Sequence, residues 1–182
     1  MLGSNGSVVP VFHKQIAQGG PVTLTDPQMT RFVMSAHEAV RLVIDSVGMA
    51  RGGEVFITKM PVVRIADLAT AMIEELAPKY GFEPERIGIK TIGAKPGEKL
   101  YEELMSMEET RRAVELVNYF SVQPAFRGVY HDIAYNYPGV VTEEVTKSYI
   151  SAEEKSMTVP EIKKFLQGNR LLNTFVLASN QN

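Results

Sequence analysis

Hydrophobic positions recur every three or four residues in three segments of the chain, and this spacing predicts amphipathic helices. The first predicted helix begins after Ser7, a residue type that caps helices, and it carries Phe12 and Ile16 on its apolar side. The second follows a capping box formed by Ser35 and Glu38. The second and third apolar stripes, which are typical of helices that pack one face on a core, are Ala36, Ala39, Val40, Val43, Ile44 and Val47, and then Ile65, Leu68, Ala69, Met72, Ile73 and Leu76.

Shorter segments rich in β-branched and aromatic residues lie between these helices and predict strands. They cover residues 22–25, 29–34, 54–58, 87–92 and 114–122. Turn residues such as glycine and proline separate several of them from the predicted helices. The sequence therefore predicts a mixed α/β fold.

The middle of the chain alternates helix and strand, which favours parallel strands joined by helices. Residues 97–105 are predicted as a further helix, with Glu102 and Glu103 on its solvated face. Two parallel strands, 54–58 and 87–92, do not form a stable open sheet alone, because both faces and both edges need partners. We therefore expect the rest of the sheet to lie outside this chain or in a second copy.

The pattern changes after Val122. Residues 123–149 lack periodicity and contain four tyrosines, which predicts an irregular arm. A short helix is predicted after this arm. It begins at the capping box that the spacing of Thr158 and Glu161 indicates, and it runs through Leu166. We accordingly divide the chain into an α/β portion, residues 1–122, and an arm with a C-terminal helix, residues 123–182.

The composition narrows the possible functions. The 182 residues include 45% hydrophobic residues, 19 basic and 21 acidic side chains and no cysteine. A net charge of -2 argues against electrostatic binding of nucleic acid, and the lack of cysteine excludes disulfides and thiol nucleophiles. No signal peptide and no apolar run of membrane-spanning length is visible. These features predict a cytoplasmic protein without a membrane span.

Several catalytic motifs are absent from the sequence. No G-x-G-x-x-G follows a strand, and no tyrosine is followed by a lysine four residues later. His13, His37 and His131 show no metal-ligand spacing, and we expect His13 and His37 to face solvent. The chain is therefore predicted to contain no catalytic residue, no cofactor-binding residue and no metal site.

Several segments in a fixed order do match a known family. The chain resembles the C-terminal, substrate-binding part of extended short-chain dehydrogenase/reductases that act on nucleotide sugars, in particular the UDP-N-acetylglucosamine 4,6-dehydratase group of polysaccharide-biosynthesis proteins. The matching segments are residues 6–12 (GSVVPVF), 20–27 (GPVTLTDP), 29–34 (MTRFVM), 38–40 (EAV), 96–104 (PGEKLYEEL) and the tail 147–166.

The resemblance implies a fold and a function. It implies an incomplete Rossmann-type sheet with a small substrate-binding subdomain, in which residues 1–122 bind a UDP-sugar. The parent enzyme would use NADP or NAD, and its glycine-rich loop and Tyr-x-x-x-Lys pair would lie ahead of Met1. We therefore expect this chain to be inactive alone. The alternative is a non-catalytic binding or oligomerisation module, either a homo-oligomer or a complement to a separate cofactor-binding half.

Arg31 is the first residue to which the resemblance assigns a contact. A diphosphate favours a planar, permanently charged donor, and the family carries an arginine here against the phosphates. The alternative is a surface arginine in a salt bridge. The first helix, through Val8, Val9, Pro10 and Phe12, would lie over the nucleotide base, and plain core packing is its alternative.

Two further pairs complete the predicted substrate site. The backbone at Thr23 and Thr25 would pair with the uracil edge, although an ordinary strand explains these residues equally well. Glu98 and Lys99 would meet the ribose or phosphate, although Glu98 could equally stabilise a helix start. Asn5 stands where relatives usually carry an arginine, which would weaken an anionic contact.

Overall fold

The computed structural model describes residues 7–94, 96–126, 128 and 131–172. Its helices are α1 (Val8–Ala17), α2 (Ala36–Met49), α3 (Ile65–Leu76), α4 (Met107–Thr110) and α5 (Val159–Gly168). Its strands are β1 (Val22–Leu24), β2 (Thr30–Phe32), β3 (Val55–Thr58), β4 (Val62–Arg64), β5 (Ile89–Thr91), β6 (Glu103–Met105), β7 (Ala113–Leu116), β8 (Tyr119–Val122), β9 (Val140–Thr142) and β10 (Tyr149–Ile150). The predicted α/β class is confirmed.

The chain forms two compact units that alternate along the sequence. Unit 1 consists of Met1–Ser35, Pro61–Glu102 and Lys155–Asn182, and unit 2 consists of Ala36–Met60 and Glu103–Glu154. Each unit therefore contains segments that are distant in sequence. The predicted functional division after residue 122 is a different one and stays a prediction.

Unit 1 is built on three helices with a shared apolar core. α3 packs against both α1 and α5, and the side chains at their centre are almost completely inaccessible to solvent. The apolar stripes predicted for α1 and α3 are therefore confirmed as core-facing. Burial of such side chains is the main stabilising contribution to a fold of this size. The largest of these side chains are Phe12, Ile16, Leu68, Met72, Leu76, Ile162 and Leu166.

The strands of unit 1 form two short pairs. β1 lies parallel to β5, with Val22 opposite Ile89, and β2 lies antiparallel to β4, with Arg31 opposite Val63. β4 continues directly into α3, and Val22 and Leu24 of β1 and Val63 of β4 belong to the same core as the buried face of α3. This arrangement brings β1 and β2 to one region of unit 1.

Unit 2 contains an antiparallel sheet in the order β3-β8-β7-β9. The hairpin of β7 and β8 lies in the predicted extended region 114–122 and confirms it. On α2, Asp45 accepts a 2.7 Å hydrogen bond from the Tyr119 hydroxyl. Burial is the main cause, and this hydrogen bond the second, that raises the pKa of Tyr119 to about 12. Leu42 and Met49 of α2 pack against the buried cluster that Tyr119 forms with Val114 and Leu116 of β7.

Helix starts were the most predictable local feature. Thr158 and Glu161 form the reciprocal capping box that was predicted for α5, and Ser106 and Glu109 form another at α4. The Ser106 N–H and hydroxyl both donate to the Glu109 carboxylate and lower its pKa.

Three predictions about the middle and the arm are wrong. Residues 97–105 are not a helix, because residues 103–105 form β6 and pair with β10. β3 is not a parallel neighbour of β5, since it pairs antiparallel with β8 while β5 pairs with β1. Within the predicted irregular arm, residues 140–142 form β9 and complete the sheet of unit 2. Long-range pairing decided each case.

The apolar stripe of α2 is not buried. Val40, Val43, Ile44 and Val47 expose 58%, 63%, 65% and 78% of their surface, and α2 has no fully buried residue. The periodicity predicted the helix correctly, but the face expected to pack on a core is open to solvent. Such contiguous apolar surface is uncommon on a protein that functions as a monomer.

The prediction that His13 faces solvent is wrong. His13 is 6% exposed, its Nε2 lies 3.3 Å from the Tyr80 hydroxyl, and the two rings meet edge to face at 5.7 Å. Burial, and secondarily the charge of Lys79, lower the pKa of His13 from its usual 6.5. His37, in contrast, is exposed as predicted.

Replacing His13 with glutamine should make the free energy of unfolding less dependent on pH below 6.5. A base with a lowered pKa in the folded state takes up its proton more readily when unfolded, so stability falls as the pH drops below 6.5. This slope is at most about 1.4 kcal/mol per pH unit. Urea unfolding at several pH values measures it, with His37→Gln as the control. An unchanged slope in His13→Gln would contradict this.

Candidate functional site

Residues 98–102, which we call the strap, lie along one edge of β2. β4 occupies the other edge. The Thr30 N–H donates to the Leu100 carbonyl at 2.9 Å, and the Phe32 N–H donates to a Glu102 carboxylate oxygen, also at 2.9 Å. A strand edge needs such acceptors because an unpaired backbone N–H is costly once it is shielded from water. The strap therefore supplies the second partner of β2.

Arg31 points its guanidinium at the strap. Its Nη1 donates to its neighbour's carbonyl, Thr30 O, at 2.7 Å, and its Nη2 donates to the Lys99 carbonyl at 2.6 Å. Its Nε lies 3.8 Å from the Glu102 carboxylate, and 23% of the side chain is exposed. Two carbonyls thus fix the orientation of a cation that remains partly accessible, and the carboxylate lies nearby beyond hydrogen-bond distance.

The strap is also tied to β1. The Thr25 hydroxyl lies just past β1 and donates to the Glu98 carboxylate at 3.1 Å, and Glu98 is half-buried. The Lys99 side chain is exposed, whereas its carbonyl binds Arg31. The structure therefore brings together four residues of the predicted site: Thr25, Arg31, Glu98 and Lys99.

Thr23 has a different environment from Thr25. Its backbone N–H donates to the Gln15 side-chain carbonyl at 3.0 Å, and the Gln15 amide donates to the Thr23 hydroxyl at 2.7 Å. Gln15 was missed by the sequence analysis, although a polar residue beside the apolar stripe of α1 was a possible signal. These two bonds join α1 to β1 and so fix the strand that carries the predicted base contacts.

The four residues predicted on α1 divide into two groups. Val9 and Phe12 are 0% and 1% exposed and belong to the core of unit 1, which favours the core-packing alternative for them. Val8 and Pro10 are half-buried and have surface that a ligand could contact. Asn5 lies outside the described residues.

Glu102 was predicted to be a solvated helix residue, and the structure corrects this. It lies in the strap, its side chain is 41% exposed, and its two oxygens face Phe32 N–H and Arg31. Sequence reasoning misses this role of Glu102 because the segment is predicted as a helix, on which neighbouring glutamates point outward.

A nicotinamide dinucleotide does not fit the described residues in the way a Rossmann fold holds it. That site needs glycines in a strand-to-helix turn, where backbone N–H groups approach the pyrophosphate. The turns from β2 to α2, β4 to α3, β6 to α4 and β10 to α5 contain no glycine. The described part of the chain also has no cluster of three or more metal-binding side chains.

None of the helices in the described ranges combines the length and the apolar character needed to cross a bilayer. The exposed stripe of α2 is much shorter than a bilayer-spanning segment.

A family model described as polysaccharide biosynthesis protein matches residues 1–124. This chain belongs to the polysaccharide biosynthesis protein family. The resemblance drawn from the sequence motifs is therefore confirmed at the level of the family. Both the segments that form the strap and those that form β1 and β2 lie within the matched range.

Three relatives show how far the family similarity extends. The uncharacterized membrane protein MJ1061 of Methanocaldococcus jannaschii is 48% identical over 92% of this chain and 46% of its own length. A UDP-glucose 4-epimerase of Rickettsia typhi is 34% identical over 91% of this chain and 46% of its own length. A UDP-N-acetylglucosamine 4,6-dehydratase (inverting) of Campylobacter jejuni is 36% identical over 72% of this chain and 36% of its own length.

The fold also matches a solved structure. The X-ray structure of Pen from Bacillus thuringiensis superposes with a TM-score of 0.79 and 36% identity, covering 93% of this chain and 47% of that chain. The chain thus spans less than half the length of these matched proteins.

Replacing Gln15 with alanine should destabilise unit 1. The change removes both bonds to Thr23 and leaves a partly buried strand N–H without this acceptor, which costs about 1 kcal/mol. Urea unfolding measures the difference in free energy, and the control is Gln18→Ala at the exposed residue that follows α1. Equal stability of the two variants would show that the α1–β1 connection does not depend on Gln15.

Proposed function

We propose that this chain binds the UDP-sugar substrate of a nucleotide-sugar-modifying enzyme of polysaccharide biosynthesis, of the UDP-N-acetylglucosamine 4,6-dehydratase type. The observation on which this rests is the group of Thr25, Arg31 and Glu98 around the strap. The epimerase and the dehydratase among the relatives differ in their sugar and in their reaction, but the names of both include a UDP-sugar. The proposal therefore commits most firmly to the UDP moiety.

The chemistry of the strap suits the two halves of a nucleoside diphosphate. Arg31 is oriented by carbonyl acceptors and keeps further N–H donors for a phosphate, which an arginine can bind through two parallel bonds. Glu98 is an acceptor in the same strap, and a carboxylate of this kind binds ribose hydroxyls in other nucleotide sites. In this arrangement the exposed Lys99 side chain adds positive charge near the phosphates.

The reaction of the parent enzyme would need groups that the described residues do not supply. In the dehydratase reaction, oxidation at C4 of the sugar acidifies the C5 proton, water is eliminated across C5 and C6, and the hydride returns to C6. NADP or NAD, when bound, supplies the hydride transfer. The role proposed for this chain is to hold the nucleotide and orient the sugar, and we propose that it is inactive without a cofactor-binding half. A cytoplasmic location likewise stays a prediction.

Replacing Arg31 with alanine should weaken binding of UDP by about 2 kcal/mol, or about 30-fold in Kd, because a charge-assisted contact to phosphate is lost. Isothermal titration calorimetry with UDP and UDP-N-acetylglucosamine measures this. Arg86→Ala is the matched control, since Arg86 is an exposed arginine of unit 1 outside the strap. Equal affinities for Arg31→Ala and the unchanged chain would remove the main site assignment.

A second candidate function is favoured by the open face of α2. Four apolar side chains of this helix expose more than half of their surface, so a non-catalytic oligomerisation or binding module that complements a separate cofactor-binding domain fits the same chain. In this case α2 would be covered by the partner. The two candidate functions are compatible, because they use different units.

Replacing Val43 with lysine should reduce self-association if α2 is an oligomerisation face, because a charge would then have to be buried in the interface. Sedimentation velocity over a wide range of protein concentrations measures this. Val11→Lys on α1 is the control, since Val11 is an exposed valine of the other unit. A chain that stays monomeric throughout, or equal association of both variants, would contradict the oligomerisation role of α2.

A further inference from the structure

Glu102 uses its two carboxylate oxygens in different ways. One oxygen accepts the Phe32 N–H at 2.9 Å, and the other lies 3.8 Å from Arg31 Nε. We propose that Glu102 is a positioning residue, which sets the orientation of Arg31 for the ligand by fixing the end of the strap to β2. This inference rests on the proposed function, because it assigns to Arg31 the contact with the phosphates.

The strap is held at three points, and Glu102 is the last of them. Thr25 holds its beginning through Glu98, the Thr30 N–H holds its middle through the Leu100 carbonyl, and the Phe32 N–H holds its end through Glu102. The Lys99 carbonyl, which accepts from Arg31 Nη2 at 2.6 Å, lies between the first two points. Without the bond at Glu102, the Leu100 carbonyl is the last of these three points, and it is only one residue from the Lys99 carbonyl. We therefore expect the release of Glu102 to loosen the carbonyl that orients Arg31.

The distances show which of the two contacts of Glu102 matters more. At 3.8 Å the oxygen is beyond hydrogen-bond distance of Arg31 Nε, and a partly exposed ion pair of this kind contributes little. The bond from the Phe32 N–H has ordinary geometry and is strengthened by the charge of its acceptor. Glu102 thus acts mainly as an acceptor for the strand edge, in a place where a neighbouring strand would offer a carbonyl.

This reading predicts different effects for two substitutions. Glutamine keeps a side-chain carbonyl that can accept the Phe32 N–H, whereas alanine removes the acceptor. In titrations with UDP, Glu102→Ala should raise the Kd about tenfold, and Glu102→Gln should restore the affinity to within about threefold of the unchanged chain. Glu103→Ala, at the exposed neighbouring residue, is the control. Equal losses for Glu102→Gln and Glu102→Ala, or no loss in either, would overturn the proposal.

A positioning role also requires that Glu102 act through Arg31. In an Arg31→Ala background, Glu102→Ala should add no further loss of UDP affinity, whereas a purely structural role would add its full loss again. Additive losses would overturn the proposal.

Amide hydrogen exchange at Phe32 tests the anchor without any ligand. The Phe32 N–H should exchange faster in Glu102→Ala than in Glu102→Gln or the unchanged chain. If the unchanged chain fails to bind UDP, the proposed function fails, and this exchange result then decides separately whether Glu102 anchors the strap. Equal exchange rates in all three proteins would overturn the anchoring.

Discussion

The site of unit 1 depends on one constraint, which is that the backbone N–H groups along β2 must find acceptors on both edges. β4 supplies them on one edge, and the strap, with the Leu100 carbonyl and the Glu102 carboxylate, supplies them on the other. Because the strap has to lie there, its Glu98 and its Lys99 carbonyl come to lie beside Thr25 and Arg31. A requirement of the backbone therefore assembles the polar groups of the candidate site.

The local features of the fold could be predicted from the sequence, because they depend on neighbouring residues. The stripe of α3 repeats at helical spacing, and α3 is buried on that face. The capping boxes at Ser106 and Thr158 require only a serine or threonine and a glutamate three residues later. The family motifs then indicated Arg31 and Glu98 as candidate site residues, and their role in binding stays a prediction.

The remaining features could not be predicted because they depend on residues distant in sequence. The segment of Glu102 has a helical pattern by itself, but the pattern does not contain its hydrogen bond to the edge of β2, 70 residues earlier. The sequence around His13 predicts a surface residue, because it does not show that Tyr80 packs against this side chain. Periodicity also predicted that α2 is a helix, but it could not reveal that the apolar face of this helix remains exposed. Tertiary pairing overrides local preference in such cases.

The central claim is that the strap and the adjoining ends of β1 and β2 form the nucleotide-binding surface of this family member. Amide chemical-shift mapping by NMR during a titration with UDP tests it most directly. The account predicts that the largest shifts fall on residues 23–32 and 98–102, with few in unit 2. Shifts concentrated in unit 2, or no shifts at saturating UDP, would contradict it.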